Sequence, residues 1–568
     1  MNKTLLASAT ALLLASASAQ AAVNIQLVNQ DPAGQGLNDP RVINPVGGNP
    51  GTTVGQQRQI VYKFAADLLG SVLTSTVPVK VGASFQGLAC TATGGTLGSA
   101  GASWVAAAPP TANAPGMIFH GALANAVSGS NINPGAVTDI TSRFNANLGG
   151  QNADGTPCMT GSGWYYGLDG NTPAGQINFL DVVIHEIAHG LGFSGFVGYT
   201  SGVLGERTGI TAYRGYSDAY TTNAFDNLQA RRFDDAAMTP AMRALSIRTR
   251  GAPAWAGAQT SAQTGLWLDP ATVLEVSGGS TPLVTQFFGV ASFGPAASTA
   301  NFNAPLVVVN DGAGDTADAC EPLQAGSLTG RIAYINRGGC SFEPKAVNAQ
   351  NAGAVGVIIG NVATSADPGT APGMAEDPSV TATIPTISVN LAAATQILAG
   401  GELQARLGTV AGQLAGADAQ GRALLYAPAT VASGSSFSHF ETALKPDALM
   451  EPANTPSTNG AYIVDLTLAL FNDIGWGVDT STTRINGCDT GIARFSNPGL
   501  LIGANLVANE NVCRVAANGN RVRYLSCMNN VADDLRGRAV VASGHRRPPR
   551  SRSRRAHGYA SAWRSTRG

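Results

Sequence analysis

Charge is scarce in this chain. Only 12% of its 568 residues are Asp, Glu, Lys or Arg, and the two signs nearly cancel to a formal net charge of -1. The body therefore carries no electrostatic footprint for nucleic acid or an anionic membrane surface. Long apolar runs are lacking too. Past the amino terminus there is no stretch of about 18 uninterrupted apolar residues, so no membrane span is expected. Histidine is rare: His120, His185, His189, His439, His545 and His557 are the full set, so an imidazole metal site has few residues to draw on. None of the seven cysteines shows the C-x-x-C spacing of a metal knuckle.

What is present begins with a leader. Lys3, the apolar run Leu5 to Ala17 and the small-x-small site Ala19-Gln20-Ala21 read as a cleaved export signal over residues 1–21. The mature protein is then expected to be secreted or periplasmic, where disulfides form. The cysteines fall in clusters that allow Cys320 to pair with Cys340 and Cys90 with Cys158. Cys488, Cys513 and Cys527 leave one over.

The chemistry centres on Asp181-Val-Val-Ile-His185-Glu186-Ile-Ala-His189-Gly190-Leu-Gly192. This is H-E-x-x-H, with an apolar stripe of Leu180, Ile184, Ile187 and Leu191 at helical spacing. On a helix the two imidazoles lie one turn apart on one face and can bind a single Zn²⁺, with Glu186 beside them as general base. Gly190 and Gly192 predict the helix stop. A tetrahedral catalytic zinc needs a third protein ligand and keeps one open position. In H-E-x-x-H-x-x-G-x-x-H that ligand follows closely, but here its position is Gly195. His439, in Ser436-Phe-Ser-His439-Phe-Glu441, is the remaining histidine in a promising context. Glu206, Asp218 and Asp226 stay open as carboxylate alternatives. No oxyanion partner stands out, since Tyr213, Tyr216 and Tyr220 read as packing residues.

Elsewhere, Ile60, Phe64, Leu68 and Val72 predict a helix over about 55–73, and Val77 to Phe85 alternates like a strand. Residues 23–50 read as irregular, 91–115 as loop, 138–147 as a short helix and 238–250 as another helix. From about 281 the character becomes strand-rich, with Leu306–Val309, Ile332–Ile335 and Val355–Ile359 as strands and 342–352 as a helix between them. Ile463, Leu466, Leu470 and Ile474 mark a closing helix. The order of elements predicts an α+β fold. After Cys527 the composition turns to His545-Arg-Arg-Pro-Pro-Arg-Ser-Arg-Ser-Arg-Arg555, which reads as a disordered extension.

Two family resemblances sharpen this reading. Cys320-Glu-Pro, Gly330-Arg-Ile-Ala-Tyr-Ile-Asn-Arg-Gly-Gly-Cys340-Ser-Phe342, Lys345 and Asn348-Ala-Gln-Asn-Ala-Gly resemble the protease-associated domain. That implies a small β-rich fold with its two cysteines close together and a role in substrate access or protein contacts. HEIAHGLGFS, then SHFE, ALMEP and DLTLALFNDIGW after a long insertion, resemble the leishmanolysin family of metzincins. That resemblance implies His185, His189 and His439 as zinc ligands, Glu186 as base and Met450 as the methionine of the turn beneath the metal. It implies a secreted zinc endopeptidase acting on proteins or peptides, with a metzincin-like catalytic domain split over 22–280 and 415–480. The protease-associated domain is nested at 281–414, and an extension occupies 481–568. A catalytically silent binding protein on the same scaffold is the competing reading.

Overall fold

The computed structural model describes residues 21–108, 116–279 and 281–541. Residues 1–20 of the expected leader and the Arg-rich tail lie outside the described residues.

The first sheet forms around strands β1 (Ile25–Asn29), β2 (Val79–Gln86), β3 (Gly98–Ala102) and β4 (Ile140–Asn145), in the order β1-β2-β4-β3. The first three of that order run parallel, and β3 pairs antiparallel with β4 along its other side. Two helices cover the sheet. Helix α1 (Val54–Val72) starts at a capping box, where Thr53 accepts from the Gln56 N–H and Gln56 reaches back. Helix α2 (Phe179–Leu191) is capped by the Asn178 side chain, which accepts from the N–H groups of Leu180 and Asp181. Phe85, Phe144 and Phe179, with Tyr62, fill the space between helices and sheet.

Four of the expected assignments change here. Residues 138–147 are not helical: Ile140, Ser142 and Phe144 alternate inward and are wholly buried in a central strand, the period of a sheet. The stretch 91–115 was expected to be loop, yet it contains β3 and a second strand, Val105–Ala108. The irregular region 23–50 likewise holds β1. The helix expected over 238–250 is shorter, Pro240–Ser246, starting at the Thr239 cap.

Helix α2 lies unusually close to β4 at Gly190, where a Cβ would stand 2.2 Å from Ile140 Cγ2. Ile140 is β-branched and stiff, so it yields little. Gly190→Ala should gain up to about 1 kcal/mol of helix propensity but lose about 1–3 kcal/mol to overpacking. We expect net destabilisation, read as a lower denaturant midpoint at unchanged slope.

The strand-rich unit is an eight-stranded sheet of β5 (Pro270–Ser277), β6 (Leu283–Thr285), β7 (Gly289–Val290), β8 (Asn303–Val308), β9 (Ile332–Asn336), β10 (Gly356–Gly360), β11 (Thr386–Val389) and β12 (Leu403–Leu414). It begins at Pro270, ahead of residue 281. Its outgoing and returning strands are partners: β5 and β12 run antiparallel from Pro270 against Leu414 to Ser277 against Gln404. Asp269, at the base of that ribbon, donates its N–H to Lys445 O and accepts from the Ala415 N–H. Cys320 and Cys340 are bonded within this unit, and Cys90 with Cys158 in the first body.

After it, α3 (Thr467–Ile474) returns to the main core. Residues 481–541 also contribute: α4 (Ile502–Ala517) buries Leu506, Ala508 and Cys513 in the same core as α1. Helix α5 (Arg521–Val541) packs on α4 and is joined to it by Cys513–Cys527. The cysteine left over is Cys488, exposed on a hairpin. No helix among the described residues is long and apolar enough to cross a membrane.

Candidate metal centre and its cleft

Helix α2 places His185 and His189 one turn apart, and a loop stretch delivers His439 opposite them. Their Nε2 atoms form a near-equilateral triangle: 3.1 Å between His185 and His439, 3.1 Å between His189 and His185, and 3.2 Å between His189 and His439. Each Nδ1 is spoken for by a backbone carbonyl: Leu449 O at 2.8 Å for His185, Phe193 O at 2.8 Å for His189 and Ser435 O at 2.9 Å for His439. A carbonyl only accepts, so each Nδ1 carries the proton and each Nε2 presents a lone pair to the centre. Burial holds the imidazoles neutral, pushing His185 down to about 4, His439 down to about 3 and His189 well below its usual value. Three lone pairs facing one another repel unless a cation lies among them. Ligands about 2.0–2.1 Å from a tetrahedral ion stand about 3.3–3.4 Å apart, close to the observed triangle. The donor set fits Zn²⁺, with carbonyl-oriented imidazoles as ligating histidines require.

Three devices hold the segments that carry the histidines. Gly192 has φ of 129°, a conformation that favours glycine; it bends the chain so that Phe193 O returns beneath His189. The indole of Trp476 closes the helix end by donating to Leu191 O. Ala448 to Glu451 form a tight turn in which the Glu451 N–H donates to Ala448 O and the Glu451 carboxyl accepts from the Ala448 N–H. Met450 is wholly buried in that turn, and its carbonyl accepts from the Phe440 N–H, next to His439. Buried Asp465 accepts from the Leu449 N–H at 2.6 Å, so the backbone of a single residue, Leu449, lies between its carboxyl and His185. Burial pushes Asp465 up to about 6.

Glu186 projects beside the triangle, 5% exposed, against β3, where a Cβ on Gly98 would lie 2.6 Å from its Oε1. Burial pushes its carboxyl up to about 8, opposed by a hydrogen bond from the Ala100 backbone. The far edge of β3 has no strand partner among the described residues and borders a cleft of about 620 Å³ that also holds the three histidines.

The carboxylates kept open as third ligands are engaged elsewhere. Asp218 accepts from the N–H groups of Phe196, Tyr220 and Thr221 and from the Thr221 hydroxyl. Asp226 accepts from Ser246 and two backbone N–H groups, and Glu206 pairs with Arg214. Tyr220 is buried and donates to Phe437 O, bracing the loop that carries His439; Tyr213 stacks on Tyr216. Asp465, Gly98 and β3 escaped the sequence reading. The one available hint was that small residues at 98–102 allow close approach of backbone.

Residues 302–397 match the PA domain family. No curated protein matches the chain. Solved structures similar to it include BSAP, a zinc aminopeptidase from Bacillus subtilis (21% identity, 28% of this chain, 37% of that one, TM-score 0.18). A peptidase M28 precursor from Shewanella amazonensis matches at 20% identity over 25% of this chain and 35% of that one, TM-score 0.19. An aminopeptidase from Aneurinibacillus matches at 24% identity over 25% and 31%, TM-score 0.18. The chain thus spans about a third of the length of these structures, and superpositions this partial carry no argument about its chemistry. The PA match lies inside the eight-stranded unit.

Proposed function

We propose that this chain is an exported zinc endopeptidase of the metzincin type, close in plan to leishmanolysin. The observation that supports it most is the convergence of three Nε2 lone pairs beside a buried carboxylate, in a cleft bordered by a strand edge. Zinc bound there would polarise the scissile carbonyl and make water a stronger acid. The residues of the chain supply the rest. An extended peptide can add to the open edge of β3, pairing its backbone and laying a scissile bond across the histidines. Residues 94–102 all line the cleft, which leaves room for an internal bond of a peptide to lie beside the histidines. Glu186 takes the proton from the attacking water and returns it to the leaving amine. His185, His189 and His439 stay neutral and fixed through their Nδ1 hydrogen bonds, and Met450 fills the space in the turn that orients His185. A silent binding protein would have no use for the carboxylate beside the histidines.

Removal of metal tests this reading. Dialysis against a zinc chelator should abolish cleavage of casein, and one equivalent of Zn²⁺ per chain should restore it. Elemental analysis showing no bound zinc in active protein would end the proposal.

A further inference from the structure

Gly, Ala and Ser make up nearly half of the cleft lining, and its charged side chains are few. Asp181 is buried and accepts from the Gly460 N–H at 2.7 Å. Glu451 is buried and closes its own turn, and Glu186 belongs to the reaction centre. That leaves Arg207. It lines the cleft at the end where His189 and His439 are anchored, together with Gly195, Phe196 and Ser438. Its side chain is fixed at two points: the guanidinium donates to Gly195 O at 2.8 Å and lies over the Tyr199 ring at 4.0 Å. Tyr199 is itself held, its hydroxyl 3.1 Å from Ser438 Oγ, next to His439. Yet Arg207 is exposed, and no carboxylate among the described residues pairs with it. Neighbouring Glu206 is taken by Arg214, and all of the Asp218 oxygens are taken by backbone and Thr221 donors.

A rigidly placed, acid-free guanidinium facing a substrate cleft is a carboxylate receptor: it offers planar paired donors at no further ordering cost. We propose that Arg207 makes this enzyme selective for peptides with an acidic side chain, Asp or Glu, flanking the scissile bond. The inference rests on the peptidase reading and specifies its substrate class.

The test compares matched peptides carrying Glu or Gln at each position flanking the cleaved bond. Wild-type protein should favour Glu at one of those positions by about tenfold in kcat/KM, an advantage that shrinks as salt rises. In Arg207→Met the Glu:Gln ratio should fall to about 1. Arg207→Lys should retain part of it, and Arg207→Glu should turn the preference toward Lys. The ratio cancels any general loss of activity or folding in a variant. Binding of the same peptides to Glu186→Gln protein should show the same ranking without turnover. If wild-type protein cleaves Glu and Gln peptides equally, or the ratio survives Arg207→Met, the selectivity proposal is overturned while the peptidase stands. If neither peptide nor casein is cleaved by zinc-loaded protein, it is the peptidase reading that falls.

Discussion

Glu186→Gln is expected to lower kcat/KM on a peptide substrate by about 10³-fold, the middle of the range for a positioned general base. The substitution is nearly isosteric, and the site tolerates little else. Gly98 leaves no room for a larger group, and the Ala100 backbone keeps an acceptor at the same place. The three histidines keep their carbonyl partners, so zinc content and unfolding temperature should match wild type. A variant that kept activity within tenfold of wild type would show that some other group moves the proton.

Removing His439 should have a larger effect still. His439→Ala deletes one corner of the Nε2 triangle and leaves a two-histidine site. Metal affinity should fall by well over the roughly 100-fold typical of losing only an outer partner. Activity should vanish with it, and the zinc-dependent part of thermal stability should disappear. Competition against a chelator of known affinity measures the first. The same experiment addresses a carboxylate third ligand: if Glu206, Asp218 or Asp226 served, the variant would bind zinc as wild type does. Their oxygens are already satisfied by Ser201 and Arg214, by backbone amides and Thr221, and by Ser246.

The metal helix, α1 and the β-rich unit were readable because each announces itself locally, by a 3.6-residue stripe or by apolar runs between turns. Even His439 was reachable through its motif company, although the residue pattern alone left three carboxylates open. Other features were written in no single segment. Gly98-Ser-Ala-Gly-Ala102 has almost no side chain with which to show strand alternation; its extended form comes from pairing with β4 and from contact with α2. Six residues at 140–145 are too few for period 2 to be told from helix by eye. Asp465 reaches His185 only through the backbone N–H and C=O of Leu449, a relation visible after folding. Arg207 is one arginine among many until Tyr199 and Gly195 fix it at the cleft.

The pairing of β5 with β12 bears on how such a site can assemble at all. His189 and His439 are 250 positions apart, a long loop to close before any metal can be shared. Because the two ends of the nested unit are hydrogen-bonded neighbours, that unit can form first and bring its own termini together. The chain still to be closed is then roughly halved, and closure entropy grows only logarithmically, so folding the unit first removes the roughly 0.6 kcal/mol that the interruption would otherwise add. Seen this way, more than a hundred residues count for little more than a turn in the assembly of the centre. The inserted domain supplies none of the three histidines, and His439 takes its orientation from Ser435 O outside it, so the centre depends on the insert only through that small closure cost.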